Sequence, residues 1–139
     1  MIEKFNYISS NVEESKRLGC LFSSFLSRGD VVGFNGDLGS GKTTFIKGVL
    51  NGLNYKGDVT SPTFSLVNEY EADFKVIHID FYRENNVNRW ENIGFEEIIY
   101  NNDIVLIEWS DLIPDILPSH IKILLFEHMS LNKRKINLK

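Results

Sequence analysis

Apolar and polar positions run along this chain in two rhythms, and the switches between them mark its elements. Short apolar or alternating runs at residues 5–8, 30–34, 65–70, 76–81, 104–109, 120–126 and 135–138 read as strands. Val12, Leu18, Leu21, Phe22, Phe25 and Leu26 instead recur at helical spacing and predict a helix with one buried face. Cys20 falls at an apolar position of that helix and is expected in the core. Ser10 followed by Glu13 resembles a capping box at its start, and Gly29 supplies its stop. Residues 43–51 predict a second helix, closing near Gly52 and Gly57, and residues 91–100 a third. The Asn-rich stretch 85–92 reads as a loop, and Pro114 and Pro118 bracket a loop or helical turn. The turn at 71–73 is short enough to make its two strands an antiparallel hairpin, and the last two strands read as another. Helices interleaved with hairpins imply an α/β sheet that is mixed, not purely parallel.

The 139 residues suit one domain, spanning 1–139, with room for a real core but not for a second module. A net charge of −4 argues against an independent nucleic-acid binder, which would carry a basic face. Only Lys133, Arg134, Lys135 and Lys139 are locally basic, and a solvated C-terminal strand edge accounts for them. No apolar run approaches a membrane span, and the first ten residues lack the pattern of a signal peptide, so a cytoplasmic location is expected. The single Cys20 excludes an internal disulfide and a cysteine-based zinc cluster. His78, His120 and His128 are dispersed without ligand spacing and read as structural.

Chemistry enters at Gly36-Asp37-Leu38-Gly39-Ser40-Gly41-Lys42-Thr43, an ungapped G-x-x-x-x-G-K-[ST]. Its glycines let backbone N–H groups converge on an anion, Lys42 supplies a point charge for β- and γ-phosphates, and the Thr43 hydroxyl suits Mg²⁺. The preceding strand and following helix give the arrangement a phosphate-binding loop requires.

Magnesium-dependent hydrolysis also needs a carboxylate at the end of a neighbouring strand. Asp80 and Glu108 both close apolar runs and both qualify. Glu108 is assigned here to the magnesium shell and Asp80 to water or switch positioning, although the roles are exchangeable at this stage. Ser61-Pro62-Thr63-Phe64 offers two hydroxyls on a proline-stiffened backbone, where a γ-phosphate switch would lie. Trp90 reads as surface or core packing; Trp109 either stacks on a base or partner, or anchors the core.

Taken in order, the loop through Thr44, Ser61-Pro62-Thr63-Phe64, His78-Ile79-Asp80-Phe81-Tyr82-Arg83 and Glu108-Trp109 resemble the bacterial TsaE (YjeE) family. Leu18-Gly19 and Gly94-Phe95-Glu96-Glu97 extend the likeness over nearly the whole chain. The resemblance implies an α/β, P-loop NTPase-type three-layer fold whose central mixed sheet includes antiparallel hairpins. It implies an ATPase, slow alone, that uses ATP and Mg²⁺ and supports the TsaB–TsaD heterodimer. That heterodimer threonylcarbamoylates the tRNA adenosine beside the anticodon, so this chain would meet tRNA only through the complex. Carried onto this sequence, Asp37, Leu38, Gly39, Ser40, Gly41, Lys42, Thr43 and Thr44 hold the phosphates, and Thr43 and Glu108 bracket the metal. Lys42, Asp80 and Glu108 are the residues expected to serve turnover. Asn11, with Ser10, and a basic side chain among residues 133–135 are implied to touch the nucleotide. Ser40 and Phe81 depart mildly from the family's usual alanine and leucine, and Asn11 and Ser15 stand where threonines are frequent.

Three rivals use the same loop. A nucleotide-dependent assembly factor with little turnover shares every residue. A small-molecule kinase would want an arginine-bearing lid, whereas Arg17, Arg28, Arg83, Arg89 and Arg134 are scattered. A GTPase would want N-K-x-D, and Asn132-Lys133-Arg134-Lys135 lacks the aspartate.

Overall fold

Seven of the short apolar runs pair into one sheet in a computed structural model that describes residues 4–59 and 66–139. The strands are β1 (Asn6–Ser9), β2 (Val31–Gly36), β3 (Val67–Glu71), β4 (Lys75–Asp80), β5 (Ile104–Glu108), β6 (Lys122–His128) and β7 (Arg134–Leu138). Their order across the sheet is β1-β7-β6-β2-β5-β4-β3. The inner four, β6, β2, β5 and β4, are parallel. Antiparallel strands flank them: β3 beyond β4, and β7 then β1 beyond β6. This is the mixed α/β sheet with hairpins at its margins that the patterning predicts.

Period-two alternation sends each strand's side chains to opposite layers. Val32, Phe34, Leu106 and Phe126 join Phe22, Phe45 and Leu50 beneath helices α1 (Val12–Ser23) and α2 (Lys42–Gly52). Val31, Ile77, Ile79, Val105 and Ile107 join Trp90, Phe95 and Ile99 beneath α3 (Val87–Ile93) and α4 (Phe95–Tyr100). Strands covered on both faces have little use for polar residues, hence the near-continuous apolar runs of β2 and β5. Two short 3₁₀ turns, Ser110–Leu112 and Pro114–Ile116, follow β5, the second within the stretch that Pro114 and Pro118 bracket as a loop or helical turn.

Helices α1 and α2 pack unusually closely. A Cβ on Gly19 would run into the Phe45 carbonyl, and one on Gly48 into the Lys16 carbonyl, so both positions bring backbone against backbone. The buried stripe of α1 is consequently narrow, made of Ser15, Leu18, Gly19, Phe22 and Ser23. Val12, Leu21, Phe25 and Cys20 therefore lie exposed, against the expectation of a broad apolar face with a core cysteine.

Other local expectations shift by a residue or more. Asn11, not Ser10, caps α1: its side-chain oxygen accepts from the Glu14 N–H at 2.8 Å, and Glu14 accepts in return from the Ser10 N–H. The helix closes at Ser23, short of Gly29, which serves a later turn. The Asn-rich stretch turns helical from Val87 because Asn86 caps α3, accepting from the Asn88 and Arg89 N–H groups. Trp90 then anchors that helix, fully buried, with its indole N–H on the Glu84 carbonyl at 2.7 Å. Gly94 takes a left-handed conformation (φ 92°) and splits the predicted third helix in two. Strand β7 is no edge: β1 pairs along its far side.

Candidate nucleotide site

Parallel pairing of β2, β5 and β4 brings three carboxyl ends to one margin of the sheet, where open α/β folds hold ligands. The loop after β2 turns through Gly39 (φ 74°) and Gly41 (φ 99°), left-handed conformations that side-chain-bearing residues resist. Lys42 opens α2, whose first turn holds no acidic residue and whose N-cap, Gly41, makes no side-chain cap bond. Such a terminus leaves backbone N–H groups and the positive end of the helix dipole for an anion.

Lys42 is almost wholly buried and folds onto its own loop. Its ammonium donates to the Gly36 carbonyl, to the Asp37 carbonyl at 3.0 Å and to Ser40 Oγ at 3.4 Å. The same nitrogen lies 4.0 Å from the centre of the Trp109 ring. Burial pulls the Lys42 pKa below its usual 10.5, while Glu108, Asp80, Asp111 and Asp37 act in the opposite direction. An anion entering this loop would relieve a desolvated cation.

Glu108, only 3% exposed, closes β5. One carboxylate oxygen accepts from the Thr43 hydroxyl at 3.0 Å; the other lies 2.6 Å from His78 Nε2. Asp80 pairs in register with Glu108 from β4 and accepts the Tyr82 N–H at 2.9 Å. Burial, then the Glu108 charge, raises the Asp80 pKa, partly offset by the Tyr82 N–H, His78 and Arg83.

Trp109 leaves β5 in a left-handed conformation (φ 60°, ψ 38°). Such a conformation costs a bulky residue about 1–3 kcal/mol, so the surroundings must fix it. The Phe34 carbonyl takes the Trp109 N–H at 2.8 Å. Next to it, Asn35 accepts from Ser110 Oγ at 2.6 Å and from the Asp111 N–H at 3.2 Å. The Tyr82 ring packs on the indole with centroids 4.9 Å apart.

These groups line a pocket of about 500 Å³, within the range of small-ligand sites. It gathers Asn11, Leu38, Gly39, Ser40, Gly41, Lys42, Thr43, Thr44, Asp80 and Glu108. Asp37 stands outside the lining and contributes its carbonyl to Lys42. Ser61-Pro62-Thr63-Phe64 lies outside the described residues. Two arginines scattered in the sequence, Arg83 and Arg134, converge on the pocket, and Arg134 donates to the Gly39 carbonyl at 3.1 Å. Patterning alone could not join residues so far apart. His78, read as structural, belongs to the site as well; its spacing of two from Asp80 was the available signal.

The donor set fits magnesium with a triphosphate. Mg²⁺ favours one or two carboxylates plus phosphate oxygens over an all-protein cage, and Thr43 and Glu108 already touch. Among the described residues, no three His, Cys, Asp or Glu side chains form a preformed metal cluster.

A family model described as "Threonylcarbamoyl adenosine biosynthesis protein TsaE" matches residues 9–136. The chain belongs to the TsaE family. Its place is therefore in tRNA threonylcarbamoyladenosine biosynthesis. The Bacillus subtilis TsaE is 36% identical over 118 residues, covering 84% of this chain and 73% of that protein. The Treponema pallidum TsaE is 33% identical over 113 residues, 81% of this chain and 84% of the other. The Rickettsia felis TsaE is 36% identical over 129 residues, 91% and 75%. The crystal structure of Bacillus subtilis YdiB superposes with a TM-score of 0.81 at 30% identity, covering 99% of this chain and 86% of that one. No helix among the described residues of this TsaE-family chain is long and apolar enough to cross a membrane.

Proposed function

We propose that this chain binds Mg–ATP in the 500 Å³ pocket and hydrolyses it to support TsaB–TsaD in threonylcarbamoylation of tRNA. The Thr43–Glu108 hydrogen bond carries the reading, because it joins a phosphate-loop hydroxyl to a strand-end carboxylate 65 residues away. Bound magnesium would neutralise charge on the phosphate oxygens during transfer. Thr43 and Glu108 would hold it. The loop N–H groups and the Lys42 ammonium orient the phosphates. Asp80, in register beside Glu108, holds its proton more tightly than an ordinary carboxyl, which suits it to take a proton from an attacking water. Asn11 at the head of α1 and Arg134 flank the loop and are positioned to contact the rest of the nucleotide. The cytoplasm, where tRNA and ATP meet, is the expected location.

The test is ATP turnover by the pure chain, with and without TsaB–TsaD, and with GTP as control. Slow turnover that rises with the heterodimer supports the proposal. Partner-independent transfer to a small acceptor would replace it with a kinase. Glu108→Ala should lower magnesium-dependent turnover by about 100-fold, the scale on which losing one charge-organising group acts, while nucleotide binding persists. Unchanged hydrolysis in that variant would remove Glu108 from the magnesium shell.

A further inference from the structure

His78 lies mid-strand on β4 with no exposed surface. That is a costly place for an imidazole unless both ring nitrogens are satisfied. Only one is: Nε2 lies 2.6 Å from Glu108 Oε2, while Nδ1 has no hydrogen-bond partner among the described residues. An ionised carboxylate only accepts, so the proton in that contact sits on Nε2 and the imidazole donates.

The other Glu108 oxygen takes the Thr43 hydroxyl, so the carboxylate is held from two sides. One clamp comes from the neighbouring parallel strand β4, the other from the head of α2. The His78 ring lies beside Tyr70, 6.3 Å between ring centres, and an apolar side chain at 78 would leave no orphaned nitrogen. Native cores seldom keep an unsatisfied buried polar atom without a use for its residue. The contact to Glu108 is the use on view.

We propose that His78 is a positioning residue: it fixes the Glu108 rotamer so that Oε1 stays turned toward Thr43 Oγ1, the second expected magnesium ligand. The assignment rests on the Mg–ATP reading. Glutamate has much rotamer freedom to lose when it binds a cation, and a carboxylate already locked loses less. Outer partners of this kind change metal affinity by about 10- to 100-fold.

The experiment separates metal from nucleotide. ADP is titrated without magnesium, then Mg²⁺ is titrated into ADP-saturated protein, both followed by calorimetry. His78→Leu should bind metal-free ADP as wild type does but need about 10- to 100-fold more Mg²⁺. His78→Gln, which keeps an N–H donor, should recover most of the loss. Wild-type Mg²⁺ affinity in His78→Leu overturns the proposal, and so does an equal loss of metal-free ADP binding. A wild-type chain indifferent to Mg²⁺ removes the magnesium reading itself and the proposal with it. A readout in the wild-type protein needs no folded variant: the imidazole ¹⁵N spectrum should show His78 protonated at Nε2, with a slowly exchanging proton. Protonation at Nδ1 alone overturns the assignment.

Discussion

Burial works against both signs of charge in this pocket: it holds the Lys42 pKa down and pushes the Asp80 pKa up. Each residue is therefore a liability to the empty fold and an asset once a counter-charge arrives. For Asp80 the sign follows directly. Its folded pKa lies above the ordinary 3.8, so its contribution to stability is full below that value and is lost as pH rises through the folded one. At pH 7 the nucleotide-free protein carries it as a penalty. Asp80→Asn keeps an acceptor for the Tyr82 N–H and drops the charge. Without magnesium or nucleotide, that variant should melt above wild type at pH 7, and the gap should narrow toward pH 4. Its turnover should meanwhile fall by about 100-fold. A variant that melts at or below wild type across the range would contradict this account. The sequence made Lys42, Thr43, Asp80 and Glu108 legible because each sits in a motif or ends a strand. It hid Asn35, whose role depends on which strands become neighbours. His78 stands in one of the family motifs but reads as structural. The resemblance points to a basic side chain among residues 133–135 without singling out Arg134, the one that hydrogen-bonds the loop.

The pair α1–α2 shows what patterning reads well and where it slips. Helical spacing located α1, but apolar residue type overstated its buried face. The two helices meet through glycine backbones, so small residues hold the interface and Leu21 and Phe25 are left outside. Likewise reading the Asn-rich stretch 85–92 as a loop missed the start of α3, where Asn86 acts as the cap and one tryptophan suffices as anchor. The close α1–α2 contact also matters to the site, because α2 carries Lys42 and Thr43 while the head of α1 carries Asn11. Gly19→Ala would set a methyl group against the Phe45 carbonyl and force the helices apart. It should destabilise the fold by about 1–3 kcal/mol, as overpacking does, measured by urea denaturation. Because α1 and α2 flank one pocket, ADP affinity should fall several-fold in the variant that remains folded. Stability lost with affinity intact would mean the pocket does not depend on the helix spacing.

Across the whole molecule, the mixed topology was readable from the rhythm of strands and helices, whereas the lateral order of the strands was not. Alternation says which face a residue takes but nothing about which strand lies beside it. The least predictable outcome is the insertion of β7 between β6 and β1. Among the described residues β1 has no other sheet partner, and it leads directly into the helix that Asn11 caps. Translation makes β1 first among the described strands and β7 last, more than 120 residues later by their paired positions. Throughout that interval β1, which leads into the Asn11 wall of the pocket, lacks the sheet partner it has in the folded protein. Arg134, which braces the Gly39 carbonyl from the first residue of β7, is missing for the same time. A released chain truncated after residue 130 should therefore fail to retain ADP where the 139-residue chain retains it; equal retention would show the pocket closing without β7. Nucleotide capture in this protein would then report that synthesis has run through β7, so a prematurely released fragment would not compete for ATP.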